Sequence, residues 1–220
     1  PGRSPGSVAC RSSARCALSD ETNAPAVSVW EFDSIVDGIH AADAIAKGSP
    51  IASFFTGTTH PGRYVILVGG DTASVDVARD IVEDLDLVCL DTRFLPDIAA
   101  EVLAVVTGPD APADSRGDAI GVVETATVSS GIDAADAAVK AADVTLDALR
   151  LADGIGGKAY LVVSGTVGDT EAAVEAAIER ADAQLVSSDV IAQLPEDPRV
   201  ELASATRFLD RVRSRGTEAP

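Results

Sequence analysis

Apolar and polar positions along this chain switch between two periods. Short apolar runs bounded by Gly, Pro or Asp predict strands at 27–33, 50–56, 63–69 and 86–91, and again at 120–126, 144–150, 158–164 and 184–190. Between them, apolar residues recur at helical spacing, predicting helices over 34–47, 72–84, 128–141 and 168–181. Ile35, Ile39 and Ala42 stand at i, i+4, i+7, as do Val128, Ile132 and Ala135, and each trio is expected to face a sheet. Val75, Ala78 and Val82 form the same kind of stripe on the second helix. A short helical segment is expected after Pro96 and again after Pro198.

The order of elements is the same in both halves because the sequence repeats. VSVWEFDSIVDGIHAADAIAK (27–47) lies over IGVVETATVSSGIDAADAAVK (120–140) at an offset of 93 with no gap. Further on, GRYVILVGG (62–70) matches GKAYLVVSG (157–165). The chain is a tandem duplication. A Pro-, Gly- and Asp-rich stretch at 107–118 reads as the linker. The boundaries are therefore a tail at 1–26, domain one at 27–106 and domain two at 119–215. Each half reads βαββαβ with a tail helix, a ferredoxin-like α/β (α+β) arrangement that by itself assigns no function. Gly38 and Gly131 occupy the same helix position in the two copies, at a cost of roughly 1 kcal/mol each against Ala. Their retention in both predicts a close backbone contact.

Composition changes the picture little. The chain has 220 residues, 46% hydrophobic and 24% charged, as expected of folded domains with proper cores. Only 4% is aromatic, so Ala and Val must build thin, closely packed layers. The net charge of −18 divides into +1 for residues 1–26 and −19 for the remainder. Such a body repels nucleic acid and anionic lipid, and no apolar run reaches transmembrane length. Cys10, Cys16 and Cys89 form neither a disulfide framework nor a zinc pattern, which points to a reducing cytosol. Residues 1–26, rich in Arg, Ser, Ala, Gly and Pro, read as a disordered tail or a start-site artefact, with Pro at position 1 and no Met anywhere.

The chemistry-bearing candidates lie between the second and third strands of each half. FTGTTHPGRY (55–64) has Gly57 and Gly62 five apart with Arg63 following, which imitates a phosphate-binding loop. A phosphate loop needs a helix N-terminus directly after it, and here a strand follows, so the imitation fails. The second copy places LADGIGGK (151–158) at the same point. Both halves thus carry a Gly-rich hairpin tip flanked by a cation.

At this point the residues resemble a known family. IGVVETATVSSGIDAADAAVKAADVTL (120–146) followed by GIGGKAYLVVSGTVGD (154–169) resembles the bacterial microcompartment shell domain, whose pattern runs G-x-[IV]-E-T, then A-A-D-A-x-x-K-A-A, then a G-S-G-like pore loop and a strand. Domain two matches over nearly its full length and domain one more weakly. Two such domains in one chain look like the tandem-domain shell proteins, which implies a homotrimer imitating a six-domain hexagonal tile. The resemblance implies other shell proteins as partners, encapsulated enzymes as further ones, and residence in the microcompartment shell. It places Gly57, Thr58, Thr59, His60, Pro61 and Gly62, with Asp153, Gly154, Ile155, Gly156 and Gly157, around a central pore. Glycine backbone N–H groups, with Arg63 and Lys158 behind them, are expected there to favour small anionic or polar metabolites, a bias that Asp153 opposes. It also places Lys47 and Lys140 at tile edges, where a cation near a helix C-terminus is in any case favourable with the dipole by ~0.3–1 kcal/mol.

Two departures from the family pattern stand out. The edge Arg expected before a Pro after the last strand is present as Arg93 ahead of Pro96, but the second copy has Ala192-Gln193-Leu194-Pro195. Some unpermuted relatives hold an iron–sulfur cluster at the pore through Cys; neither loop here contains Cys, so no cofactor is expected. No enzyme is expected either. His40 and His60 are the only histidines, and Glu31 and Glu124 sit on strands with no base beside them, so no metal or catalytic site is assigned. The alternative reading is a trimeric ferredoxin-like regulatory protein that binds a metabolite between subunits.

Overall fold

Ser34, Asp71, Thr127 and Thr166 each turn a side-chain oxygen onto the backbone N–H three residues on, and each starts a helix. The computed structural model describes residues 25–108 and 117–193. Domain one comprises β1 (Ala26–Phe32), α1 (Ile35–Gly48), β2 (Ser53–Thr59), β3 (Arg63–Gly70), α2 (Thr72–Asp84), β4 (Asp91–Leu95) and α3 (Ala100–Thr107). Domain two comprises β5 (Ala119–Thr125), α4 (Val128–Ala141), β6 (Thr145–Leu151), β7 (Ala159–Gly165), α5 (Val167–Ala181) and β8 (Leu185–Ala192). The two four-stranded antiparallel sheets have the same order, β2-β3-β1-β4 and β6-β7-β5-β8. The βαββαβ reading holds in both copies.

Alternation along β1 divides its residues between two cores. Ala26, Trp30 and Phe32 pack with Ala41, Ile45, Ile66, Val75 and Ala78 beneath α1 and α2. Val27 and Val29 point the other way and join Leu95, Ile98 and Val102 in one cluster with Val128, Ile132 and the core of domain two. The second domain therefore seats its α4 on the far face of the first domain's sheet. A fully buried Val or Ile at this junction contributes roughly 1.5–3 kcal/mol relative to exposure. The helix glycines make the predicted close approach. A Cβ on Gly38 would lie 2.6 Å from the Tyr64 Cβ, and one on Gly131 only 2.3 Å from the Ala159 Cβ.

Three expectations need correction. Ile35 and Ile39 do not face their own sheet; they are 36% and 52% exposed, and Gly38, Ala41, Ala42 and Ile45 take the buried side of α1. Their counterparts Val128 and Ile132 are buried because domain one covers them. The last strand of domain one is not 86–91 but Asp91–Leu95. Asp91 already pairs with Glu31 near the end of β1, so Leu87, Val88 and Cys89 lie beyond any partner strand, and Val88 is 85% exposed. The hairpin in domain one is also tighter than expected, since Gly57, Thr58 and Thr59 belong to β2 and pair with Val65, Tyr64 and Arg63. The 1–26 tail apart from its last two residues, most of the linker and the segment after Pro198 lie outside the described residues.

Candidate functional site

The two Gly-rich tips differ in build but meet in space. In domain one the turn is His60-Pro61-Gly62, closed by a bond from Gly62 N to the Thr59 carbonyl (2.9 Å), with Gly62 at φ 123° and a cis bond before Pro61. In domain two the turn is wider. The Ala152 carbonyl accepts from the N–H groups of Ile155 and Gly157, at 3.2 and 3.3 Å, and Gly154, Gly156 and Gly157 all take positive φ. A Cβ on Gly157 would sit 2.7 Å from the His60 carbonyl oxygen and 2.8 Å from the Pro61 ring. Gly157 is thus the point where one tip is laid against the other. His60, Pro61, Gly62, Asp153, Gly154 and Gly156 are exposed, Ile155 is half-buried, and Thr58 is exposed on the adjoining strand.

The cations behind the tips are each paired with a carboxylate. Arg63 Nη1 lies 2.8 Å from Glu31 Oε1 and also donates to the carbonyls of Ala126 and Gly157 in domain two. Glu31 is fully buried, and its second oxygen accepts from Val128 N at the start of α4 (2.8 Å). Burial pushes the Glu31 carboxyl above its ordinary range, while Arg63 and the Val128 N–H pull the other way. In the second copy Lys158 lies 2.7 Å from Glu124, but both remain partly exposed. The carboxylates that lacked a base are therefore partners of the loop cations. The two copies shared that signal: a Glu on the first strand, and a cation opening the third one diagonal away.

The rest of the junction was not anticipated from sequence. Asp91 Oδ2 accepts from the hydroxyls of Thr127 (2.6 Å) and Ser129 (2.7 Å). Arg93 reaches the Arg180 carbonyl and lies 3.8 Å from Asp133, which Arg180 also contacts at 2.8 Å. Burial raises the Asp133 pKa, against the opposing pull of Arg180 and Arg93. Arg93, the candidate edge residue, thus points into the joint between the domains. Of the two candidate edge lysines, Lys47 is 73% exposed and pairs with Asp43 on its own helix. Lys140 pairs with Asp136 and also donates to the Asp97 carbonyl of domain one. His40 is exposed on α1, far along the chain from the tips. Among the described residues no group of His, Cys, Asp or Glu is arranged to hold a metal ion, and no helix is long and apolar enough to cross a membrane.

A duplicated βαββαβ unit with a glycine-built hairpin in each copy defines a class, and comparison with known proteins agrees. The BMC domain family matches residues 26–90 and 119–194, and the chain belongs to that family, the bacterial microcompartment shell proteins. It is 40% identical over 158 residues to the bacterial microcompartment shell protein PduT of Citrobacter freundii, covering 71% of this chain and 84% of that one. Among solved structures, a microcompartments protein from Desulfitobacterium hafniense DCB superposes with a TM-score of 0.66 at 29% identity, covering 80% of this chain and 98% of that chain. A fused permuted hexameric shell protein from the RMM microcompartment shares the fold, with a TM-score of 0.51 at 21% identity over 70% of this chain and 80% of that one. The protein is accordingly a structural component of a microcompartment shell and not an enzyme, and the regulatory alternative finds no support.

Proposed function

We propose that three copies of this chain close into a pseudohexagonal tile whose centre is a pore for metabolites, and that the tile joins other shell proteins through its edges. The contact of Gly157 with the His60 carbonyl carries this reading. It puts the two hairpin tips of one chain side by side, as neighbouring segments of a six-part ring require. The lip is then built from Gly57 to Gly62 and Asp153 to Gly157, alternating three times around the axis. His60 and Ile155 are the bulkiest residues at their tips and set the narrowest part.

Selectivity at such a lip follows from width and lining polarity. With Arg63 and Lys158 held by Glu31 and Glu124, the groups left to face a passing solute are backbone amides, the His60 ring, the Thr58 hydroxyl and Asp153. That lining suits small polar metabolites without a strong preference for anions. Encapsulated enzymes are the natural source or destination of the solute. Flux through intact shells assembled with this protein tests the reading: Ile155→Gly and His60→Ala each increase flux. If neither variant alters it, the tips do not line a pore.

A further inference from the structure

The two copies of one helix have opposite surroundings. On α4, Ser129, Ile132 and Asp133 are 0%, 1% and 3% exposed, because the first domain's sheet covers them. Their counterparts 93 residues earlier on α1 are Val36, Ile39 and His40. All three face solvent, Val36 at 76% and Ile39 at 52%. The covering surface is likewise used once and, among the described residues, left free once. Strand register identifies the matching positions: Glu31 pairs with Asp91 and Val29 with Arg93 in the first sheet, and Glu124 with Ser187 and Val122 with Asp189 in the second. Val27 opposite Leu95 corresponds to Ile120 opposite Ile191, and Leu95 is 1% exposed where Ile191 is 37%.

We propose that the free edge of domain two docks on the free α1 of a second copy of this chain, and that the order of acidic and basic residue in the central pair of the junction is reversed there. Within the chain Arg93 meets Asp133; between chains Asp189 meets the partner's His40. The proposal rests on the ring of three described above. Each pair of positions changes in step. Glu31 accepts from Val128 N, so Glu124, held by Lys158 as Glu31 is by Arg63, accepts from the backbone N–H of the partner's Ile35, one of the first-turn donors that a helix leaves unpaired. Asp91 receives two hydroxyls, from Thr127 and Ser129; its counterpart Ser187 meets the partner's Ser34 and the partner's Val36, a smaller polar group where one donor has become apolar. Ile191 covers the partner's Ile39 as Leu95 and its neighbours cover Ile132.

The reversal also selects the partner face. An Asp189 edge set against another chain's α4 would oppose Asp133 with a like charge, and an Arg93 edge set against α1 would oppose a second base. Only alternation of the two domains matches every pair.

Sedimentation equilibrium of the full chain tests this directly. Wild type gives a trimer. His40→Asp sets two carboxylates face to face and weakens the trimer about tenfold or more. The double variant His40→Asp with Asp189→Arg copies the polarity of Arg93 and Asp133 and restores the wild-type constant. Both positions are exposed, so each variant keeps the wild-type circular dichroism spectrum and melting profile of the separate chain. A wild-type chain that stays monomeric at every concentration overturns the ring itself. A wild-type trimer that His40→Asp leaves unchanged, or that the double variant fails to restore, leaves the ring standing and overturns the proposed pairing.

Discussion

Replacing Arg63 by Met removes the cation that neutralises a buried carboxylate, and the cost can be worked from the structure. Glu31 is fully buried and lies 2.8 Å from Arg63, whose side chain is 19% exposed. At an effective dielectric constant of about 20, that separation corresponds to about 6 kcal/mol of gross attraction, most of which desolvation of the two ions offsets. Removing one partner leaves the penalty without the attraction and costs about 3–5 kcal/mol. For a chain of this size each kcal/mol lowers the melting temperature by about 2–4 °C, so Arg63→Met is expected to melt about 6–20 °C lower at pH 7. Glu31 accounts for the sign of the pH dependence. Its folded pKa is raised above 4.5, so its contribution to stability is fully present below the unfolded value and is lost as pH rises through the folded one. Without Arg63 the folded value rises further, and the variant's deficit shrinks at acidic pH, where Glu31 is neutral in both states. Scanning calorimetry of wild type, Arg63→Met and Arg63→Met/Glu31→Gln at pH 4 and pH 7 measures all of this. The double variant recovers most of the loss at pH 7. A deficit as large at pH 4 as at pH 7, or no recovery in the double variant, would refute the buried-charge account of how the first hairpin is fastened to domain two.

Two further outcomes follow from contacts at the helices. Gly131→Ala adds a Cβ 2.3 Å from that of Ala159, and overpacking of about 1–3 kcal/mol outweighs the gain of roughly 1 kcal/mol in helix propensity, so the variant unfolds at lower denaturant; a neutral or stabilised variant contradicts the close approach. Lys47→Asp leaves the proposed trimer folded, since Lys47 is 73% exposed and pairs with the exposed Asp43, but reduces incorporation into co-expressed shells; Lys140→Ala does so too, with a small loss of stability from its bond to the Asp97 carbonyl, and unchanged incorporation of both removes the lysines from the proposed tile edge.

What could be read from sequence was what neighbouring residues encode. The helices expected over 34–47, 72–84, 128–141 and 168–181 follow from apolar spacing within each segment, and the repeat at an offset of 93 needs no structure at all. Local signals failed where the decisive partner was distant. Leu87-Val88-Cys89-Leu90 has strand composition, yet β4 begins at Asp91, because pairing depends on where β1 ends and on hydroxyls supplied by Thr127 and Ser129. The hairpin tips were legible as glycine-rich turns, but not the neutralisation of Arg63 and Lys158, which needs the strand register that brings Glu31 and Glu124 beside them.

The misread stripe on α1 has a different origin. Ile35, Ile39 and Ala42 obey the same spacing as Val128, Ile132 and Ala135, and spacing reports that a helix face is covered without reporting by what. In α4 the cover is the other half of the same chain, and Ile132 is 1% exposed. In α1 the stripe is retained although Ile39 is 52% exposed in the single chain. Leaving Val36 and Ile39 in water forgoes the roughly 1.5–3 kcal/mol that burial of each would supply, and it exposes a sticky patch. A polar residue would serve an isolated chain better at both positions. Apolar residues on that face fit the proposed cover by a second chain, the same arrangement that domain one already displays on α4.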